Sequence, residues 1–469
     1  MLRRMFLNEE RAERIHEASL QVLEGTGIWL DHEEAETLLL EAGAKRDDEH
    51  RILIPRRMVQ AALEKAFAKV QFFDRDGNRS IVVRNGQTHF GTGSDALYNI
   101  DLERGQLRRS VLSDITNNVR LADGLSGFGF VMSMALPADV EPRKLYAVIF
   151  AEMVRNTSKP LVVTSTTVED IEQIHRIASI VAGGEDALRT KPFFLAYLEP
   201  ISPLRFNRSI VTRVLYCAEH GIPILFAAGA NCGGGAPVTP EGGLVQGSAE
   251  SLAGLVLALL KNENAKFVYG ANTSVIDMRT SIISYGAPEW YRTVAMYADM
   301  GKHYNLPSWG TAGCTDSFAL DAQSAMEAYE GILLALLSGT SLAHDVGFMA
   351  HGALYDARML ILTDEMVKRA RFLLKDVDVS DDALSVDMID EVARTNALYL
   401  AHPRTCQIFR NVLWLPPAYI NRSNIADYVK KRPLADYLNE AVAGALSSHQ
   451  PKELPEPKVT EVQQYLDSL

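Results

Sequence analysis

The 469 residues are 47% hydrophobic and 23% charged, close to ordinary globular usage, which excludes a disordered or fibrous chain and supplies enough apolar material for one large core. The net charge is −12 and the Lys and Arg residues are scattered, so the basic stripe that a nucleic-acid backbone requires is missing. The longest apolar runs, 254–260 and 331–337, fall short of the roughly 20 residues that span a bilayer, and no secretory signal is visible; a soluble chain with no membrane partner is expected.

At the start of the chain, Ile15, Ala18, Val22 and Leu23 recur at helical spacing before Gly25-Thr26-Gly27, and a second helical stretch lies around Met58 to Phe67. Between Val70 and Arg109 the pattern changes to short β-type runs broken by Asp76-Gly77-Asn78 and Asn85-Gly86, which are turn signals and predict a small meander or hairpin pair. From about Asp114 short apolar strands alternate with helix-length amphipathic segments. The predicted strands are 130–136, 160–165, 193–198, 223–228, 267–270, 307–311 and 341–345. Their nearly continuous apolar character suits parallel strands covered by helices, and a (β/α)8 TIM-type barrel is the economical closure, although the eighth strand has no obvious place. An open doubly wound sheet is the alternative, but no G-x-G-x-x-G follows the first strand.

After about Val377 the alternation stops. Residues 383–398 read as helix, Lys430-Lys431-Arg432 is a basic run, and 450–457 is a linker before a last short helix. The expected organisation is an N-terminal helical and β-hairpin extension over 1–113, a barrel core over 114–377 and a C-terminal helical extension over 378–469. The four cysteines, Cys217, Cys232, Cys314 and Cys406, are widely spaced with no C-x-x-C, which predicts isolated thiols in a reducing cytoplasm and no zinc knuckle.

Catalytic residues of a parallel barrel come from the carboxyl ends of its strands. Those positions hold Thr164 and Ser165, Tyr197 and Glu199, Asn231, Tyr269 and Asn272, Trp309 and Thr311, and His344, Asp345, Phe348 and His351. Any one of these is compatible with a structural role. Together, aromatic faces at several strand ends form a box that attracts quaternary ammonium through cation–π contact. The Gly-rich run 228–237 follows a strand, so its amides suit an anion, and a turn needing positive φ accounts for the same glycines. There is no H-E-x-x-H or G-x-S-x-G and no strict metal spacing among the eleven histidines, so no metal site is expected, although His344-Asp345 with His351 are residue types that could bind one.

Several segments resemble the trimethylamine methyltransferase family. They include 99–109, Arg120-Leu121-Ala122-Asp123, 234–239 with Ala249-Glu250, Asp277-Met278-Arg279, Pro288-Glu289, Thr315-Asp316-Ser317 with Asp321-Ala322-Gln323, and His402-Pro403-Arg404-Thr405 with Phe409-Arg410 and Leu413-Trp414. The resemblance covers nearly the whole chain and implies a barrel that moves a methyl group from an amine to a corrinoid (cobalamin) carried by a partner protein. Well-known members carry pyrrolysine just after the strand that here leads into 313–318, where this chain has only standard residues. That departure points to relatives acting on quaternary amines, with glycine betaine as the first expectation.

The site expected on this reading has Tyr197, Tyr269, Trp309 and Phe348 as an aromatic cage, with Glu199, Asn231 and Asn272 also binding substrate. Gly233, Gly234 and Thr315 are assigned to cofactor or anion binding, and His344, His351 and Asp316 to catalysis. Two other readings stay open: a quaternary-amine binding or sensing barrel without methyl transfer, and a corrinoid-independent lyase with Glu199 or Asp316 as base. A homo-oligomer is compatible with the sequence.

Overall fold

The alternation of apolar strands and amphipathic helices builds a barrel in the computed structural model, which describes residues 5–395, 397–430 and 432–469. Its strands are β1 (His89–Gly91), β2 (Phe128–Phe130), β3 (Leu161–Val163), β4 (Phe194–Leu198), β5 (Ile224–Ala228), β6 (Phe267–Ala271), β7 (Ser308–Thr311) and β8 (Leu342–His344). They pair in parallel in the order β3-β4-β5-β6-β7-β8-β1-β2. A parallel bridge between Val131 and Leu161 joins the two ends of this sheet. The helices that follow the strands are α1 (Leu112–Gly124), α2 (Leu145–Asn156), α3 (Val168–Ala182), α4 (Arg208–His220), α5 (Pro240–Lys261), α6 (Pro288–His303), α7 (Ala322–Ser338) and α8 (Ala357–Leu373).

The strand missing from the sequence reading is β1. It lies inside the stretch given to the N-terminal extension, so the barrel draws on residues before 114. Three residues, one of them a glycine and one a histidine, carry too little apolar pattern to be read as a core strand. The strand expected at 130–136 begins earlier, at Phe128, and β2 ends at Phe130; beyond it Met134 takes a left-handed φ of 62° that ends extended backbone.

Alternation along the strands divides the core in two. Inward residues such as Phe130, Val162, Leu195, Leu225, Val268, Trp309 and Leu342 fill the barrel, while their neighbours face the helices. The predicted hairpin is present as Lys69–Phe73 paired with Ser80–Arg84. Its Val70, Phe72 and Val83 join the inward core, and its backbone bonds to Ser158 and Pro192, just ahead of β3 and β4, set it across the N-terminal mouth as a plug.

Among the described residues α5 is the one helix long and apolar enough to cross a membrane, but most of it is buried in the protein. Helices Glu9–Gly25, Glu33–Glu41 and Arg56–Lys65 pack on it from outside while β5 and β6 pack from inside. Enclosure on both sides explains its apolar circumference. The region read as helix over 383–398 contains two short helices, Asp381–Leu384 and Val386–Thr395, parted at Ser385, whose φ is 54°. Helices Leu434–Ser448 and Glu456–Ser468 lie on α8 and α1 and on α3 and α2 respectively. Lys431 of the basic run lies outside the described residues.

Candidate active site

Because strand residues alternate between barrel interior and helical shell, only alternate side chains at a strand end reach the C-terminal mouth. A cavity of about 310 Å³ opens there. Its wall takes Asp95 after β1, Thr164 after β3, Tyr197 and Glu199 at the end of β4, Asn231 after β5, Asn272 and Ser274 after β6, and His344 and Asp345 at the end of β8. Phe348, Tyr285 and Trp290 complete it. Among the described residues no Lys or Arg lines it.

Polar side chains inside the wall hold one another. Asn272 Nδ2 donates to the Tyr197 hydroxyl oxygen at 2.6 Å, and that hydroxyl donates to Glu199 Oε2 at 3.3 Å. Thr311 Oγ1 of β7 reaches Asn272 Oδ1 at 3.5 Å, and Ser274 Oγ donates to Asn231 Oδ1 at 2.5 Å. Glu199 fits because residue 229 is glycine: a Cβ there would stand 2.1 Å from Glu199 Oε1. Gly93 leaves the same kind of room for Asp345.

Three carboxyl groups share this space with no Lys or Arg among the described lining residues. The wall of protein around Glu199, into whose cavity its side chain projects, pushes its carboxyl up to about 7, the nearby Glu250 charge adding to this and the Tyr197 hydrogen bond opposing it. Burial, then the charges of Asp95 and Glu199, push Asp345 up to about 8. Desolvation raises Asp95 as well. Asp95 and Asp345 both sit in left-handed backbone, with φ of 66° and 64°, a conformation that costs a non-glycine residue energy and that clusters at functional sites.

Burial pushes His344 down to about 3, so its imidazole is neutral. Nδ1 donates to the Gly310 carbonyl at 3.0 Å, which fixes the tautomer and leaves Nε2 as an acceptor. Asp345 Oδ2 stands 3.2 Å from Nε2. With His344 shifted down and Asp345 up, burial disfavours the charged form of both members of this close pair.

The expected residues divide into several places. Tyr197, Glu199, Asn231, Asn272, His344 and Phe348 line the cavity. Trp309 lies one layer lower in the barrel core, its ring 4.1 Å from that of His344 and 5.7 Å from that of Tyr197, so it forms a floor. Tyr269 does not join the cage. It neighbours the inward Val268 and therefore faces the shell, where its hydroxyl meets Ser248 Oγ at 2.7 Å and its ring meets Tyr297 and Tyr304.

Gly233 and Gly234 spend their amides inside a turn, donating to the carbonyls of Ala236 and Asn231, each at 3.1 Å, and neither lines the cavity. The turn reading of that run replaces the anion cradle. Thr315 and Asp316 are fasteners. Thr315 Oγ1 donates to Glu327, while Asp316 accepts from Ser284 Oγ and from the Tyr285 amide. This ties the hairpin Val275–Asp277 with Ile282–Ser284 over the mouth. His351, at a left-handed φ of 51°, stands at the rim with Nδ1 3.7 Å from Asp316 Oδ1 and its ring against the exposed Phe318.

Asp95, Tyr285 and Trp290 were not singled out from the sequence. Asp95 follows the strand that was not placed. The two aromatics, with ring centroids 4.1 Å apart at 78°, come from the hairpin and from the first turn of α6, not from a strand end. The one signal that could have found them is their closeness to Pro288-Glu289.

Across residues 3–468 the chain matches the model of a family described as trimethylamine methyltransferase (MTTB). It is 30% identical over 390 residues to a trimethylamine methyltransferase of Desulfitobacterium hafniense (strain DSM 10664 / DCB-2), covering 82% of this chain and 78% of that one. It is 26% identical to a glycine betaine methyltransferase of Desulfitobacterium hafniense (strain Y51), covering 82% and 81%. Among solved structures, the monomethylamine methyltransferase of Methanosarcina barkeri aligns over 92% of each chain with a TM-score of 0.49 and 14% identity. Matched over nearly its whole length, this chain belongs to the trimethylamine methyltransferase family and is an amine methyltransferase.

Proposed function

We propose that the chain moves a methyl group from a quaternary ammonium compound to Co(I) of a corrinoid held by a separate protein. The observation that carries this reading is the cavity wall: Tyr197, Tyr285, Trp290 and Phe348 beside Asp95, Glu199 and Asp345, with no Lys or Arg among the described lining residues. Aromatic faces and carboxyls both favour a cation, and a desolvated cation–π contact contributes about 2 kcal/mol. The absence of pyrrolysine from 313–318 supports a quaternary over a tertiary amine, as does the likeness to a glycine betaine methyltransferase.

A quaternary nitrogen leaves as a neutral tertiary amine, the C–N electron pair staying on nitrogen, so no acid is required at the leaving group. The corrinoid supplies the nucleophile. The protein's residues then bind and orient: the cage centres the ammonium, Trp309 beneath it limits how deep the group sinks, and the Ile282–Ser284 hairpin held by Asp316 excludes water. Approach from the C-terminal mouth passes the rim made by Phe318 and His351. Glycine betaine is the first substrate to try; its carboxylate would be received by uncharged donors such as the Asn231 and Asn272 amides.

The test is a panel of glycine betaine, carnitine, choline, tetramethylammonium and trimethylamine, each incubated with the protein and cob(I)alamin while cobalamin absorbance is followed. Demethylation of one or more quaternary members, with trimethylamine inert, is expected. Turnover of trimethylamine alone would overturn the reading.

A further inference from the structure

On the helical shell, away from the cavity, the fold gathers three potential ligands from three helices: His175 in α3, Glu185 at the start of the short helix Glu185–Thr190, and His220, the last residue of α4. We propose that these three side chains bind a divalent metal ion of borderline softness, Zn(II) foremost, and so clip α3 to α4. Their ligand atoms all lie within 4.8 Å of one another. His175 Nε2 and His220 Nδ1 stand 3.9 and 3.8 Å from the same oxygen, Glu185 Oε1.

Zinc holds nitrogen and oxygen ligands at about 2.0–2.2 Å, which sets neighbouring ligands about 3.3 Å apart in a tetrahedron. Closure therefore asks the two distances to Glu185 to contract by about half an ångström and the two imidazole nitrogens, which lie within 4.8 Å of each other, to close by up to about 1.5 Å; the exposed Glu185 side chain supplies the first movement and rotation of the partly exposed His220 ring the second. Two imidazoles and a carboxylate are a recurrent zinc donor set, and the exposed side of Glu185 leaves a fourth position to water.

A further feature points the same way. His175 is buried, and its other nitrogen, Nδ1, lies 2.9 Å from the Tyr216 hydroxyl oxygen. With Nε2 on a metal, Nδ1 carries the proton and donates to that oxygen, the supporting contact that orients metal-bound histidines. The Tyr216 ring also packs 4.3 Å from that of His220, so one residue positions both imidazoles. Arg189 is the nearby cation acting on His175, and it is itself exposed to solvent.

The test uses the full-length protein, stripped with a chelator, dialysed, and titrated with Zn(II) or Co(II) chloride alone. One equivalent should bind, Co(II) should develop the visible absorption of a low-coordinate nitrogen and oxygen site, and the thermal midpoint should rise with Zn(II). Glu185→Gln, a change at an exposed position, and His220→Ala should each abolish the bound equivalent and the rise in midpoint. Tyr216→Phe should weaken binding by about tenfold. No saturable equivalent in the wild type, or Glu185→Gln binding as the wild type does, would overturn the site.

Discussion

The two mouths of the barrel are closed by opposite materials. At the N-terminal mouth the hairpin Lys69–Phe73 with Ser80–Arg84 inserts Val70, Phe72 and Val83 into the inner core, and Phe72 is fully buried. At the C-terminal mouth the same strands end in carboxyls, amides, an imidazole and aromatic rings around an open space, with Asp95 and Asp345 in costly backbone conformations. The difference separates stability from chemistry: the plug supplies apolar burial and seals one end, which leaves the other as the way in and lets it carry groups that a packed core would reject.

The largest test of that division is Phe72→Ala, which should cost about 3–5 kcal/mol of stability and lower the thermal midpoint, leaving amine affinity unchanged below the transition. An unchanged midpoint with weakened amine binding would reverse the roles of the two ends. Tyr285→Leu at the opposite mouth should do the converse, weakening a quaternary ammonium by about 2 kcal/mol, roughly 30-fold in Kd by calorimetry, with little change in melting.

A smaller effect follows from the carboxyls. As pH rises through about 7 and about 8, Glu199 and Asp345 lose their protons, so affinity for tetramethylammonium should rise from about pH 6 to about pH 9. Both folded values lie above the unfolded ones, so their contribution to stability is complete below the unfolded pKa and is lost as pH rises through these folded values. Glu199→Gln and Asp345→Asn should therefore flatten both profiles, and profiles of unaltered slope would remove the carboxyls from the account. The smallest effect belongs to Tyr269→Phe, which deletes one buried hydrogen bond to Ser248 and should cost about 1 kcal/mol in denaturant titration without touching amine affinity.

Seven strands and the barrel were legible because long apolar runs bounded by turn residues recur at a steady interval. The eighth was not, since His89–Gly91 is short and its neighbours in the sequence belong to the plug. At the site, nearness to a strand end was legible but direction was not. Tyr197 and Tyr269 read alike in sequence, yet the alternation sends one into the cavity and the other into the shell. Thr315 and Asp316 lie in a resembling segment, and their hydrogen bonds show them holding the loop that bounds the mouth. Tyr285 and Trp290 were hidden because long-range folding of the hairpin, not local pattern, brings them over the barrel.

The C-terminal cavity should select a cation by its charge and not by its shape alone. Calorimetric binding of choline against its uncharged isostere 3,3-dimethyl-1-butanol tests this directly, since the two differ little in size. Choline should bind at least about tenfold tighter at neutral pH; equal affinities, or a preference for the neutral alcohol, would mean that the cavity reads shape and not charge.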